Sequence, residues 1–95
     1  MLKTKKFDVI EYLKTEKDIK EYLEVVLEEK DYTYLPVALA DIARARKAMT
    51  AAAKAAGVSR TNLYQSLSEE GRPAFDTVAK VAHSLGYKVT LVPIT

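Results

Sequence analysis

A chain of 95 residues, 48% apolar and 29% charged, suits one small globular domain and excludes both a disordered protein and a second independent fold. It has no cysteine, which removes disulfide frameworks, thiolate metal sites and cysteine nucleophiles from consideration. The net charge of +2 hides a split: residues 8–31 hold nine acidic residues against four lysines, and residues 32–95 hold eight basic residues against four acidic ones, so two faces of opposite sign and two different partners are expected.

Residues 1–6 read as a flexible basic tail. Asp8 and Glu11 follow its lysines before an apolar leader core can build, and no stretch reaches membrane-spanning length, so a cytoplasmic protein with no membrane partner is expected. Residues 7–31 form an acidic helical segment. Asp8 caps a short helix carrying Val9, Ile10 and Leu13, and Thr15 caps a longer one with Asp18 in the place of a capping-box acid. Ile19, Tyr22, Leu23, Val26 and Leu27 recur at helical spacing and define a buried stripe. Glu16–Lys20 and Lys20–Glu24 are i,i+4 pairs on the other face, each contributing about 0.2–0.5 kcal/mol.

Asp31 to Tyr34 is a connector, and Pro36 predicts a helix start between Thr33 and Leu35, because a first-turn amide has no acceptor to lose. This helix runs through Leu39, Ile42 and Ala43 to a basic end, Arg44-Ala45-Arg46-Lys47. Cations there suit the negative end of a helix as well as they suit a phosphate.

Residues 49–67 then carry a helix-turn-helix pattern. Ala53 and Ala56 are small enough for two helix backbones to approach, Gly57 can take a positive φ at the corner, and Val58 can plug the gap. Ser59 is a good N-cap. Leu63 and Leu67 put one face of the second helix in the core. The opposite face offers Thr61, Gln65 and Ser68, flanked by Asn62 and Tyr64, with Arg60 at its tip. Such short hydrogen-bonding groups are what a helix in a major groove requires. Between Arg44 and Ser68 the charged residues are Arg44, Arg46, Lys47, Lys54 and Arg60, with no acid among them. That imbalance fits a phosphate-facing surface better than a solvated hairpin.

Beyond a turn at Glu69–Pro73, Pro73 suits the first turn of a last helix with Phe75, Val78, Ala79, Ala82 and Leu85 on one face and Gly86 as its left-handed stop. His83, the single histidine, has no second ligand near it and reads as a surface or interhelix residue; no metal site is expected. Residues 32–86 thus form the DNA-binding part of a single structural domain. In residues 87–95 the period changes: Tyr87 to Val92 alternates and is rich in β-formers. The pattern predicts one strand, with Tyr87, Val89, Thr90, Leu91 and Val92 pairing with a second copy to form a homodimer, since nothing else in the chain offers it an edge.

Several runs recur together in a known order: Phe7-Asp8 with Glu11-Tyr12-Leu13, Ala38 to Ala45, Gly57-Val58-Ser59-Arg60, Leu63-Tyr64 with Leu67-Ser68, Phe75 to Val78, and Leu85-Gly86. In this combination, which spans nearly the whole chain, the sequence resembles the addiction-module antidote proteins, prophage-type antitoxins with an Xre/Cro-like helix-turn-helix. The resemblance implies a type II toxin–antitoxin module. In it the antidote neutralises a small ribonuclease-type toxin and represses the shared operon by binding operator DNA. It puts the reading face on Arg60, Thr61, Tyr64 and Gln65, and Thr50 at the start of the first motif helix, where backbone amides can meet a phosphate. Ala51 stands where such proteins often place a polar residue, and Pro36 replaces an aliphatic or small one.

The expected protein is therefore mainly α, a compact helical bundle with one C-terminal strand paired across a dimer. Its candidate DNA-binding residues are Thr50, Lys54, Ser59, Arg60, Thr61, Tyr64, Gln65 and Ser68. The expected partners are double-stranded operator DNA, a cognate small basic toxin and a second copy. An enzyme is not expected: the glycines are Gly57, Gly71 and Gly86, each explained by a turn or cap, and there is no paired histidine or phosphate-cradling loop. No cofactor follows either. A stand-alone Xre-type repressor, prophage or chromosomal, is the alternative, and a protein-binding module that no longer reads DNA is a third reading.

Overall fold

Helix starts in this chain are set by side-chain caps, and the computed structural model, which describes residues 8–30 and 32–95, has them in place. The basic tail expected over residues 1–6 lies outside the described residues, as do Phe7 and Asp31. Asp8 accepts the Ile10 amide at 3.1 Å, but the turn it opens, Val9–Tyr12, is a single 3-10 turn that ends on buried Leu13. At Thr15 the capping box is complete: Thr15 Oγ1 accepts the Asp18 amide at 3.1 Å, and Asp18 Oδ2 accepts the Lys14 and Thr15 amides at 3.0 and 3.1 Å. Those two amide bonds hold the Asp18 carboxyl below the usual range.

From that cap α1 runs Glu16–Glu29, followed by α2 at Leu35–Ala45, α3 at Met49–Ala56, α4 at Arg60–Ser66 and α5 at Phe75–Ser84. Pro36 sits in the first turn of α2 as expected. α1 packs on α2, and α3 lies against α2, α4 and α5. Small residues allow this: Ala52 and Ala53 on α3 are buried in one cluster with Val81 and Ala82 of α5. Leu13, Ile19, Leu39, Ile42, Leu63 and Leu67 complete the same cluster. Full burial of a leucine such as Leu63 or Leu67 is worth roughly 1.5–3 kcal/mol.

Five expectations need correction. The described residues hold five α-helices and no strand, so the predicted C-terminal strand is absent. Alternation orders side chains, but a strand also needs a neighbouring backbone, and among the described residues none lies beside 88–95. The α1 stripe is narrower than its periodicity implies: Ile19 and Val26 are buried, whereas Leu27 remains 45% exposed. The pair on α1 is Lys17–Glu21 at 3.8 Å, because Glu16 turns instead to Arg46. Pro73 precedes α5, whose N-cap is Ala74, and the helix buries Val81 rather than Phe75, which is 72% exposed. Val58 is exposed too, so it does not plug the α3–α4 corner; its amide instead bonds the Ala53 carbonyl at 3.0 Å.

Candidate functional site

Gly57 closes α3 with φ 76°, a left-handed conformation that costs a glycine nothing sterically. The chain then turns and Ser59 restarts the helix, its Oγ accepting the Asn62 amide at 3.1 Å. With Leu63 and Leu67 anchored in the core, Arg60, Thr61, Asn62, Tyr64 and Gln65 all stand exposed on α4. At its far end Ser68 Oγ donates to the Gln65 carbonyl at 2.8 Å. Arg60 reaches along the helix to Tyr64, Nη2 to hydroxyl 3.4 Å, with the guanidinium 5.7 Å from the ring centre. That contact holds the cation over the i+4 residue on the outer surface.

Beside α4 is a shallow cleft of about 350 Å³ lined by Arg44, Lys47, Met49, Thr50, Arg60 and Tyr64. The ends of three helices make it: the carboxyl end of α2, the start of α3 and the start of α4. Its lining includes three cations and no carboxylate, so it offers a concave, positively charged surface suited to a phosphate. Lys47, which terminates α2 with φ 57°, brings the second of those cations. Lys54 follows Thr50 at i+4, on the same face of α3 one turn further along.

Arg44 and Arg46, equivalent in the sequence, have different surroundings. Arg46 is built into the fold: Nη1 donates to the Leu85 carbonyl at 2.6 Å, and Nη2 and Nε grip Glu16 at 2.7 and 3.1 Å. Its guanidinium also lies 5.6 Å from the Tyr87 ring centre. Arg44 lines the cleft while holding Asp8 at 2.8 Å and Asp41 at 3.7 Å. Asp41, 8% exposed, accepts the Tyr22 hydroxyl at 2.6 Å, and the Tyr34 hydroxyl stands 3.5 Å from that of Tyr22. Burial raises the Asp41 carboxyl above the usual range against the pull of Tyr22 and Arg44, and it raises the Tyr22 phenol well above its own.

Of the residues expected from the sequence, Thr50, Arg60 and Tyr64 come together at the cleft. Thr61, Gln65 and Ser68 lie along α4 outside it, Lys54 projects from α3, and the Ser59 hydroxyl is engaged as the cap. Arg44, Lys47 and Met49 are the lining residues that sequence reasoning left out of the site. The basic run ending α2 was their signal, but only the fold separates Arg44 and Lys47, which enter the cleft, from Arg46, which does not. At the other end of the chain Tyr87 is half-buried against Arg46, whereas Val89, Thr90, Leu91 and Val92 are exposed.

Among the described residues no helix is long and apolar enough to cross a membrane. An uncharacterized protein of Haemophilus influenzae (strain ATCC 51907 / DSM 11121 / KW20 / Rd) is 47% identical over 81 residues, covering 85% of this chain and 82% of the relative. No solved structure matches the chain. The family model described as probable addiction module antidote protein matches residues 3–93, nearly the full length. The chain belongs to that family of addiction module antidotes, and such an antidote has a toxin for a partner.

Proposed function

We propose that this protein is the antitoxin of a type II toxin–antitoxin module, an Xre/Cro-like, prophage-type regulator that binds operator DNA, represses its own operon and neutralises a small ribonuclease-type toxin in the cytoplasm. The observation that carries the DNA reading is the exposed polar face of α4 beside a cleft lined by Arg44, Lys47 and Arg60. On this reading Arg60, Thr61 and Gln65 meet base edges, with Tyr64 and Ser68 along the groove wall. Thr50, Lys54, Lys47 and the Ser59 end of α4 meet phosphates. The role is regulatory, not enzymatic. Antidote membership favours it over a stand-alone repressor.

Two half-sites require two copies. We assign the homodimer contact to the exposed side chains of Val89, Thr90, Leu91 and Val92 next to Tyr87, without strand pairing; Leu91 is 93% and Val92 76% exposed in the single chain. Burying them would remove apolar surface from water. Sedimentation of a Leu91→Ser/Val92→Ser variant tests this, with a monomer expected and an unchanged dimer counting against it. For DNA, a shift assay on a palindromic operator is decisive. Thr61→Ala or Gln65→Ala should relax preference by about 1–3 kcal/mol at one base pair per half-site. Lys54→Ala should weaken all sequences alike. Unchanged affinity in all three variants would reject the reading face.

A further inference from the structure

The carboxyl end of α1 runs against the local rules that the rest of the chain obeys. Glu28 and Glu29 occupy its last turn, which carries no basic residue, although the negative end of a helix favours cations. Among the described residues neither glutamate has an ion-pair partner, in contrast to Glu16 and Glu21 of the same helix. Apolar surface collects at the same place: Val25 is 54% and Tyr32 66% exposed. Between them opens a cleft of about 290 Å³ lined by Tyr22, Val25, Val26, Glu29 and Tyr34. Its floor is apolar and aromatic, its rim is acidic, and it lies where α1 meets the start of α2, whereas the cationic cleft lies where α2 meets α3 and α4.

We infer that this cleft is the docking site for the toxin, and that it takes an apolar side chain flanked by lysine or arginine from the toxin's basic surface. The inference rests on the antitoxin reading above. Charge complementarity selects the occupant. The segment 8–31 has a net charge of −5, which repels nucleic acid and a second acidic segment of this chain, but attracts a protein that is itself cationic where it holds RNA. Residues kept at a cost to helix stability and arranged around uncovered apolar side chains are the mark of a surface that is completed by a partner. Because the cationic cleft lies at the other end of α2, DNA and toxin need not compete for one surface.

The test uses the full chain and the small basic protein encoded beside its gene, with affinity measured by titration calorimetry at moderate salt. Val25→Arg, and separately Glu28→Lys combined with Glu29→Lys, should each weaken the complex at least about tenfold, while operator affinity stays the same. The double-lysine variant removes no packed group and improves the charge at the helix end, so its melting temperature should be unchanged or raised; it decides the matter if Val25→Arg lowers stability. Lys80→Glu on α5 serves as a charge change of equal kind elsewhere and should leave toxin binding unaltered. Equal toxin affinity for wild type and both α1 variants overturns the docking assignment and leaves the antitoxin reading standing. No complex with the wild type at all overturns the antitoxin reading, and the assignment with it.

Discussion

Arg46→Ala separates a structural cation from a DNA-binding one. Four contacts disappear with the guanidinium: the Leu85 carbonyl, both Glu16 oxygens and the Tyr87 ring. A charged donor on a carbonyl is worth about 1.5–3 kcal/mol. Its partner Glu16 is 69% exposed, so that pair is discounted to roughly 0.2–1 kcal/mol for solvent screening, and the cation–π contact adds about 0.5–1 kcal/mol. The contributions share one side chain and do not simply add, so the expected loss is about 2–4 kcal/mol. For a domain of this size the melting temperature should fall by roughly 10–25 °C in a circular dichroism melt. Arg46→Lys keeps the charge but not the fork and should recover only part of the loss. DNA affinity per folded molecule, and its dependence on salt, should be unchanged. A variant that melts within about 2 °C of wild type yet shows a shallower salt dependence would refute the assignment and return Arg46 to the DNA surface.

Lys47→Ala should do the reverse, leaving the melt intact while reducing the slope of log K against log salt by about 0.9 for the lost phosphate contact. Asp41→Asn tests the buried carboxyl. Its folded pKa is raised above the unfolded value of about 3.9, so its contribution to stability is full below that value and is lost as pH rises through the folded one. The stability of wild type relative to Asp41→Asn, measured by urea titration, should therefore decline between about pH 4 and pH 7; a flat or rising difference counts against burial as the dominant cause. Asp18→Asn should show the opposite trend, because the Asp18 carboxyl is lowered by its amide bonds and its contribution is lost as pH falls. Gly71→Ala should destabilise by about 1–3 kcal/mol, since an added methyl would collide with the Ser66 and Gln65 carbonyl oxygens at the end of α4; a wild-type melt would show that the turn can move aside.

What could be read from the sequence follows how local each feature is. Caps depend on residues a few positions apart, and Asp8, Thr15 with Asp18, Gly57 and Ser59 all do what their spacing implies. Helical periodicity likewise locates the buried sides of α2 and α4. It fails at the edges of a face, where burial depends on what the neighbouring helix covers. Leu27 and Phe75 have the right spacing but no element over them, whereas Val81, one position from the expected face of α5, is fully buried. The acidic pairs failed for a related reason: Glu16 has a nearer, bidentate partner thirty positions away in Arg46, and no i,i+4 rule contains that choice.

The candidate site divides along the same line. The exposed face of α4 was legible because one helix supplies both its anchors, Leu63 and Leu67, and its display, Thr61 and Gln65; fixing the first orients the second. The cleft was not legible, because its cations come from the ends of two helices brought together by the α2–α3 turn at Lys47. The C-terminal segment marks the remaining limit. Alternation at Tyr87–Val92 correctly identifies residues that carry exposed apolar side chains, but a strand is a property of two backbones, and the described chain supplies one. The same holds at the end of α1, where Val25 beside Glu28 and Glu29 makes poor sense for a helix on its own and good sense for half of an interface. Where residues satisfy no local rule and no contact within the chain, as here, the missing term in the energy is another molecule. The charge beside the apolar side chains is what states which kind.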